Sequence, residues 1–163
     1  MKIVSLLALL FLSITFDARA GDTNPLVGTW KLVSTAATSA DGKSLVSPMG
    51  DHPTGFLTYA PEGRMSLLIT HEGRPNLSGD RLDSPIEEQA SAFSTMVAYA
   101  GRYTLEGNRL THHLEAASSQ NWVGTDLPRI VTLTGKRVKL EAPMRGRHGV
   151  VQKFEQIWER MTP

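Results

Sequence analysis

The 163-residue chain contains no cysteine. This absence excludes a disulfide framework, a thiolate metal site and a thiol nucleophile. An exported domain of this size without disulfides has to be held together by its hydrophobic core.

The chain also lacks an excess of charge of either sign, with 17 basic and 16 acidic residues. A balanced and mixed surface provides no electrostatic attraction to nucleic acid or to an anionic membrane. We therefore expect neither nucleic acid nor a membrane span among its interactions.

Several catalytic motifs are missing as well. The sequence has no Gly-x-Ser-x-Gly, Gly-x-Gly-x-x-Gly, P-loop or His-Glu-x-x-His pattern. Dedicated hydrolase, dinucleotide-binding and metalloprotease functions therefore have no support. We expect neither a cofactor nor a metal ion.

The first 20 residues have the layout of a secretory signal peptide. Lys2 supplies a positive charge, residues 3–12 are mostly apolar, and Ala18-Arg19-Ala20 has the small-x-small pattern of a cleavage site. The apolar run is too short to span a bilayer comfortably. We expect residues 21–163 to form one exported domain, periplasmic or secreted, with residues 1–20 removed.

The N-terminal half of this domain predicts three strands. Residues 26–34 form the first, and residues 35–53, rich in Ser, Gly, Asp and Pro, form a long loop. Residues 55–60 and 64–70 form a hairpin, because Pro61-Glu62-Gly63 separates two alternating apolar runs.

One helix is predicted near residues 85–98. Ser84 can cap it, Pro85 suits the first helical position, and Glu87 would complete a capping box. Apolar residues follow at helical spacing: Ile86, Ala90, Phe93 and Val97. This stripe indicates an amphipathic helix that lies across a flank or opening of the sheet.

Residues 99–116 predict a second hairpin around Gly107-Asn108, a pair typical of two-residue turns with positive φ. Counting from the turn pairs Glu106 with Arg109, Tyr103 with His112, Gly101 with Leu114 and Tyr99 with Ala116. Because successive side chains alternate across a strand, His112 should point inward and His113 outward.

Gly135-Lys136 predicts a third hairpin, between residues 130–134 and 137–142. The same counting pairs Thr134 with Arg137, Leu133 with Val138, Val131 with Leu140 and Arg129 with Ala142. Arg129 is the one charged residue in an inward set that is otherwise aliphatic. Residues 150–161 predict the last strand.

About eight strands joined mostly by hairpins, with no strand-helix-strand rhythm, indicate an all-β antiparallel fold. Such strands close naturally into an up-and-down barrel, which removes exposed sheet edges. A barrel of this size has room for one small ligand.

Several motifs resemble those of the bacterial and fungal lipocalin-like domain family, over residues 26–160. They are Gly28-Thr29-Trp30, Tyr99-x-Gly-x-Tyr103, His112, Asn121-Trp122-Val-Gly124-Thr, Arg129 and Trp158-Glu-Arg160. The resemblance implies a calycin-type barrel around a small-molecule cavity, and some members of the family are possible cyclases or isomerases. It also implies that Trp30 and Arg160 stack at the closed end of the barrel as a structural pair.

The candidate ligand-binding residues are Tyr59, Tyr99, Tyr103, His112, Trp122 and Arg129. Tyr103 should lie opposite His112 and Arg129 diagonal to it, within reach of long side chains. Three roles remain open for His112: a buried structural network, orientation of a ligand, or proton transfer in which Arg129 stabilises an oxyanion. Trp122 can stack on a ligand or plug one end of the barrel.

His113 and Glu115 share the outer face and are compatible with a metal site, although a solvated surface is the simpler interpretation. The leading functional hypothesis is an exported protein that holds an apolar or amphipathic small molecule in the barrel. The alternatives are a cofactor-free cyclase, isomerase or dehydratase that uses His112 and Arg129, and a filled barrel that serves as a structural or partner-binding module.

Overall fold

The computed structural model describes residues 24–39, 41–45, 47, 49–145 and 151–162. The predicted signal peptide of residues 1–20 lies outside the described residues. Within the described ranges, none of the helices combines the length and the apolar character that a membrane crossing requires.

The chain forms a closed barrel of eight antiparallel strands, which confirms the predicted fold class. The strands are β1 (Gly28–Ser39), β3 (Thr54–Tyr59), β4 (Arg64–Thr70), β5 (Met96–Glu106), β6 (Arg109–Ala117), β7 (Asp126–Thr134), β8 (Arg137–Arg145) and β9 (Val151–Arg160). Strand β2 (Ser44–Leu45) pairs with the end of β1, helix α1 (Ile86–Ser94) lies between β4 and β5, and a 3-10 turn covers Gln120–Trp122. Pairing of β1 with β9 closes the barrel.

The two ends of the barrel differ in their connections. Short turns join the strands at one end, at residues 60–63, 107–108 and 135–136. The longer connections, at residues 71–95 and 118–125 among others, lie at the opposite end. We call these the closed end and the open end.

Inward side chains of the strands form the core, as the alternation of side chains requires. The fully buried ones include Trp30, Leu57, Tyr59, Ile69, Leu110, His112, Val138, Leu140 and Trp158. At the closed end, the Arg160 guanidinium lies 4.1 Å from the centre of the Trp30 ring and donates to the carbonyl oxygens of Val27 (2.6 Å) and Pro25. The indole of Trp30 donates to the carbonyl of Leu26 at 2.8 Å.

The first strand is longer than predicted. Residues 35–39, assigned to a loop from their composition, continue β1 because they pair with β9 as far as Ser39–Gln152. The segment reads Thr-Ala-Ala-Thr-Ser, so the two threonines favour a strand and cross-strand pairing holds the two alanines and the serine in it.

The helix is shorter than predicted, and the predicted capping box is absent from it. Pro85 is the N-cap and no side chain caps the helix. The Ser84 hydroxyl instead donates to the carbonyl of Asp80 at 3.1 Å. Val97, predicted to end the helical stripe, lies in β5 opposite Ile69.

The apolar stripe of α1 is not buried against the barrel, contrary to expectation. Ile86 and Phe93 remain 69% and 55% exposed. The preceding loop supports the helix instead: Arg74 donates to the carbonyl of Ala92 at 2.9 Å, and Glu88 accepts from the amide of Ser78 at 2.8 Å.

The β5–β6 hairpin has the predicted register near its turn, where Tyr103 pairs with His112. Further along, Tyr99 pairs with Ala117 and not with the predicted Ala116, because the register shifts between Ala100 and Gly101. A β-bulge inserts one residue into one strand of a pair, so counting from the turn fails beyond it.

The β7–β8 hairpin also has the predicted register near its turn, but the predicted pair of Arg129 with Ala142 is wrong. The ladder ends at Ile130–Glu141, although both strands continue. Two positions further along, the same register would make Pro128 and Pro143 the next hydrogen-bonded pair. Neither proline has an N–H to donate, so the two strands separate here.

Candidate functional site

A polar cluster lies inside the barrel around His112, which is fully buried. Its Nε2 atom lies 2.7 Å from the hydroxyl oxygen of Tyr59, and its Nδ1 atom lies 3.3 Å from that of Tyr99. Both tyrosines are buried as well. Both ring nitrogens of His112 therefore have hydrogen-bond partners.

The three side chains come from strands that are not all neighbours. Tyr59 ends β3, Tyr99 lies in β5 and His112 in β6, while β4 separates β3 from β5. Each occupies an inward position of its strand, so the cluster crosses the interior of the barrel.

Burial keeps the cluster uncharged at neutral pH. Burial, aided by the positive charge of Arg129, lowers the pKa of His112 to about 3. Burial also raises the pKa of the hydroxyls of Tyr59 and Tyr99, with the charge of Arg129 partly opposing the rise. A neutral imidazole donates through one nitrogen and accepts through the other. One tyrosine therefore accepts from His112 and keeps its own proton for another acceptor.

Tyr103 lies beside this cluster without a hydrogen bond to His112. Its ring centre is 4.7 Å from that of Tyr59. Its hydroxyl donates to the carbonyl of Ala60 at 3.1 Å and accepts from the amide of Asn24 at 3.0 Å. The structure thus places the Tyr103 hydroxyl at the closed end, where it ties the N-terminal segment to the β3–β4 turn.

Arg129 is diagonal to His112, since His112 pairs with Leu127. Its side chain is half-buried, and its charge acts on Tyr59, Tyr99 and His112. Its Nη1 donates to the carbonyl of Pro128 at 2.9 Å. In the part of the chain that the structure describes, no carboxylate forms an ion pair with it.

The inner wall of the barrel is more accessible along β7 than along the strands beside it. Leu127, Arg129 and Val131 are each half-buried. The inward residues of the flanking strands are buried: Leu110, His112 and Leu114 in β6, and Val138, Leu140 and Ala142 in β8. Packing is therefore least complete along β7.

A cleft of about 200 Å3 follows the seam where β7 and β8 separate. Its lining includes Arg109, Pro128, Arg129, Glu141 and Pro143. Glu141 is already compensated, because its carboxylate lies 3.0 Å from the ammonium of Lys139 and 3.1 Å from that of Lys153. We call this cleft the β7–β8 seam.

Trp122 lies in the 3-10 turn between β6 and β7, at the open end. Its indole meets the ring of Tyr99 edge-on, with ring centres 6.3 Å apart. It is half-buried and packs against the core. Trp122 therefore covers the Tyr99 side of the polar cluster.

His113 and Glu115, both on the outer face, each contact different residues. His113 Nδ1 lies 2.7 Å from a carboxylate oxygen of Asp126. Glu115 lies 2.8 Å from Arg64 and 3.1 Å from Arg102. Across the ranges that the structure describes, no group of three or more His, Asp or Glu side chains is arranged to hold a metal ion.

Sequence reasoning did not identify the contact of Glu72, which joins two loops at the open end. One of its carboxylate oxygens accepts from the amides of Asp51 and His52, each at 2.9 Å. The spacing of apolar residues predicts strands and helices, but it does not predict a contact between loops about 20 residues apart in the chain. The end of the β7–β8 ladder, in contrast, could have been predicted, because extending the predicted register brings Pro128 opposite Pro143.

A closed antiparallel barrel with short turns at one end, long loops at the other and a polar cluster inside defines a calycin-type barrel. The sequence profile of the lipocalin-like domain family matches residues 27–161, so the chain belongs to that family. The resemblance noted from the sequence motifs is thereby confirmed.

Two solved structures are similar to the chain at low sequence identity. One is a lipocalin-like protein from Bacteroides uniformis ATCC 8492, with 16% identity over 83% of this chain and 98% of the other, and a TM-score of 0.44. Another is an uncharacterized protein from Bacteroides eggerthii DSM 20697, with 17% identity over 83% of this chain and 99% of the other, and a TM-score of 0.39. No curated protein matches the chain.

Proposed function

We propose that this chain is an exported small-molecule-binding protein that holds an apolar or amphipathic ligand inside the barrel. The accessible inner wall of β7, next to the neutral cluster around His112, is the observation that carries the proposal. The lipocalin-like fold supports such a role because an eight-stranded barrel can hold one small ligand.

The site combines the two kinds of contact that small-molecule sites use. Leu127 and Val131 provide apolar contact surface, and the hydroxyl of Tyr99 and the guanidinium of Arg129 provide polar groups that orient a ligand. Such sites are mostly apolar, with a few placed polar groups.

The proposal is tested by titrating the protein with the neutral fluorescent probe N-phenyl-1-naphthylamine. We expect saturable binding of one probe per chain. Val131→Trp, which adds bulk to the inner wall of β7, should weaken it roughly tenfold or more, because the ligand loses its space. Thr132→Trp is the matched control, since Thr132 is the next residue on the same strand and lies on the exposed outer face.

Two results would overturn the proposal. One is the absence of saturable probe binding to the folded protein. The other is equal weakening by Val131→Trp and Thr132→Trp, which would place the probe outside the barrel. Far-UV circular dichroism of both variants shows whether the barrel has remained folded.

The catalytic alternative has weaker support from the geometry. Both ring nitrogens of His112 are already hydrogen-bonded to tyrosine hydroxyls, so a substrate would have to displace one of them to exchange a proton directly. The partner-binding alternative is favoured by one observation: exposed Leu82 and Phe93 line a groove of about 670 Å3 beside α1.

Export is tested by expressing the full chain in a Gram-negative host. We expect the protein in the periplasmic fraction with Gly21 as its N-terminal residue, because Ala18-Arg19-Ala20 fits the signal peptidase pattern. An intact mass that includes residues 1–20 would contradict this part of the proposal.

A further inference from the structure

We propose that the ligand carries one anionic group of the carboxylate or sulfonate class, which the guanidinium of Arg129 binds beside the β7–β8 seam. This inference rests on the proposed function and adds the charge of the ligand to it. Three features of the structure support it.

The first feature is the uncompensated charge of Arg129. Its side chain is half-buried and faces the polar cluster, and its hydrogen bond goes to the carbonyl of Pro128. In the described ranges no carboxylate pairs with it, and the β8–β9 connection at residues 146–150 contains no acidic residue. A partly desolvated guanidinium that retains free donors favours an anion at this place.

The second feature is the neutrality of the groups that Arg129 faces. His112, Tyr59 and Tyr99 form a hydrogen-bonded set without a formal negative charge at neutral pH, so none of them neutralises the guanidinium. The set also retains one hydroxyl proton that is not used within it. A guanidinium and a hydroxyl that converge from different strands are suited to the two oxygens of a carboxylate.

The third feature is the composition of the seam. Arg109 and Arg129 both line it, while its one acidic residue, Glu141, is bound by Lys139 and Lys153. Hydrogen bonds from both lysines lower the pKa of Glu141. Its carboxylate therefore stays ionised, and the two ammonium groups neutralise its charge. Arg109 and Glu141 occupy outward positions and Arg129 an inward one, so the seam leads from the outer face of the barrel to Arg129. It is positive on balance and offers space for a polar head group at that point.

The test uses two probes that share an anilinonaphthalene body and differ in charge. 8-Anilino-1-naphthalenesulfonate is anionic, and N-phenyl-1-naphthylamine is neutral. Arg129→Gln should weaken binding of the anionic probe about tenfold and change that of the neutral probe less than about twofold. Arg137→Gln makes the same chemical change at an exposed site on the outer face of β8 and should alter neither.

A second measurement needs no variant. Decanoate and decanol have the same chain and differ in their head groups, so each is used to displace N-phenyl-1-naphthylamine from the wild-type protein. Decanoate should displace it at a concentration about tenfold lower than decanol.

The outcomes separate this inference from the proposed function. Suppose that the neutral probe binds inside the barrel, but decanoate and decanol compete equally or Arg129→Gln leaves binding of the anionic probe unaffected. The inference of an anionic ligand is then wrong, and the proposed binding function stands. If the neutral probe does not bind at all, the proposed function fails. Weakening of the anionic probe by Arg137→Gln as well as Arg129→Gln would indicate general surface attraction and overturn the inference.

Discussion

The hydroxyl oxygen of Tyr59 lies 2.7 Å from Nε2 of His112, and both side chains are fully buried. The bond joins β3 to β6 across the interior, although these strands are not neighbours in the sheet. It therefore links opposite parts of the wall through the core.

Tyr59→Phe should lower the free energy of unfolding by about 1–3 kcal/mol, because it leaves Nε2 of His112 buried without a partner. Tyr99→Phe should cost less, since the hydroxyl of Tyr99 is 3.3 Å from Nδ1. Guanidinium chloride unfolding at neutral pH measures both. A loss for Tyr99→Phe that equals or exceeds the loss for Tyr59→Phe would contradict the assigned order of strength.

Stability should fall as the pH is lowered from 7 to 5. Burial lowers the pKa of His112 to about 3 in the folded state, whereas an unfolded histidine titrates near 6.5. As the pH falls, the unfolded chain therefore binds a proton at this histidine before the folded chain does. The stabilisation by neutral His112 is complete above the pKa of the unfolded histidine. It is lost as the pH falls from there toward the pKa of His112 in the folded state. The expected loss between pH 7 and pH 5 is about 2 kcal/mol.

Unfolding titrations of His112→Gln at the same pH values provide the comparison. This variant should lose most of the pH dependence in that interval, even if its stability at pH 7 is lower. His52→Gln removes a histidine at an exposed position and is the matched control variant. An equally steep pH dependence in His112→Gln and the wild type would show that other groups cause it.

Gly101→Ala should destabilise the barrel by about 3 kcal/mol or more, at the upper end of what overpacking costs. A Cβ atom at Gly101 would lie 1.9 Å from the carbonyl oxygen of His113, so the β5–β6 backbone would have to move. Gly79→Ala is the control, because its Cβ would meet its nearest neighbours at 3.5 Å. Thermal unfolding measures both, and a similar melting temperature for the two variants would contradict the close approach.

Arg160→Lys should lower the free energy of unfolding by about 1–3 kcal/mol, since the guanidinium donates to two carbonyls and stacks on Trp30. A lysine ammonium keeps the charge and cannot reproduce this planar arrangement. Arg137→Lys, at an exposed site with an ion-pair distance of 3.8 Å, should change stability by less than about 0.5 kcal/mol. Equal effects of the two substitutions would show that Arg160 does not stabilise the closed end.

The pairing of Tyr103 with His112 could be predicted from the sequence, because a two-residue turn fixes the register of its hairpin. Gly107 adopts a φ of 60°, as a two-residue turn requires, and Tyr103 pairs with His112 as counted. Alternation then places His112 inward and His113 outward. The hydroxyls that reach His112, from Tyr59 and Tyr99, could not be assigned, because strand alternation does not say how far a side chain extends across the interior.

The errors have common physical causes. Counting from a turn assumes an uninterrupted ladder. It therefore fails for the partner of Tyr99, beyond the shift at Ala100 and Gly101, and for the partner of Arg129, beyond the end of the β7–β8 ladder. Composition identifies turn formers but not cross-strand partners, so the end of β1 was assigned to a loop. The helix was placed from its apolar spacing, although its own loop, and not the barrel, supports it.

By itself the sequence determined the all-β barrel, its hairpins and the inward side of each strand, because alternation and turn chemistry are local properties of the chain. Tertiary structure alone decided which polar groups meet around His112, how accessible β7 remains and where β7 and β8 separate. These features depend on distances between strands that are far apart in the chain, and local periodicity carries no information about such distances.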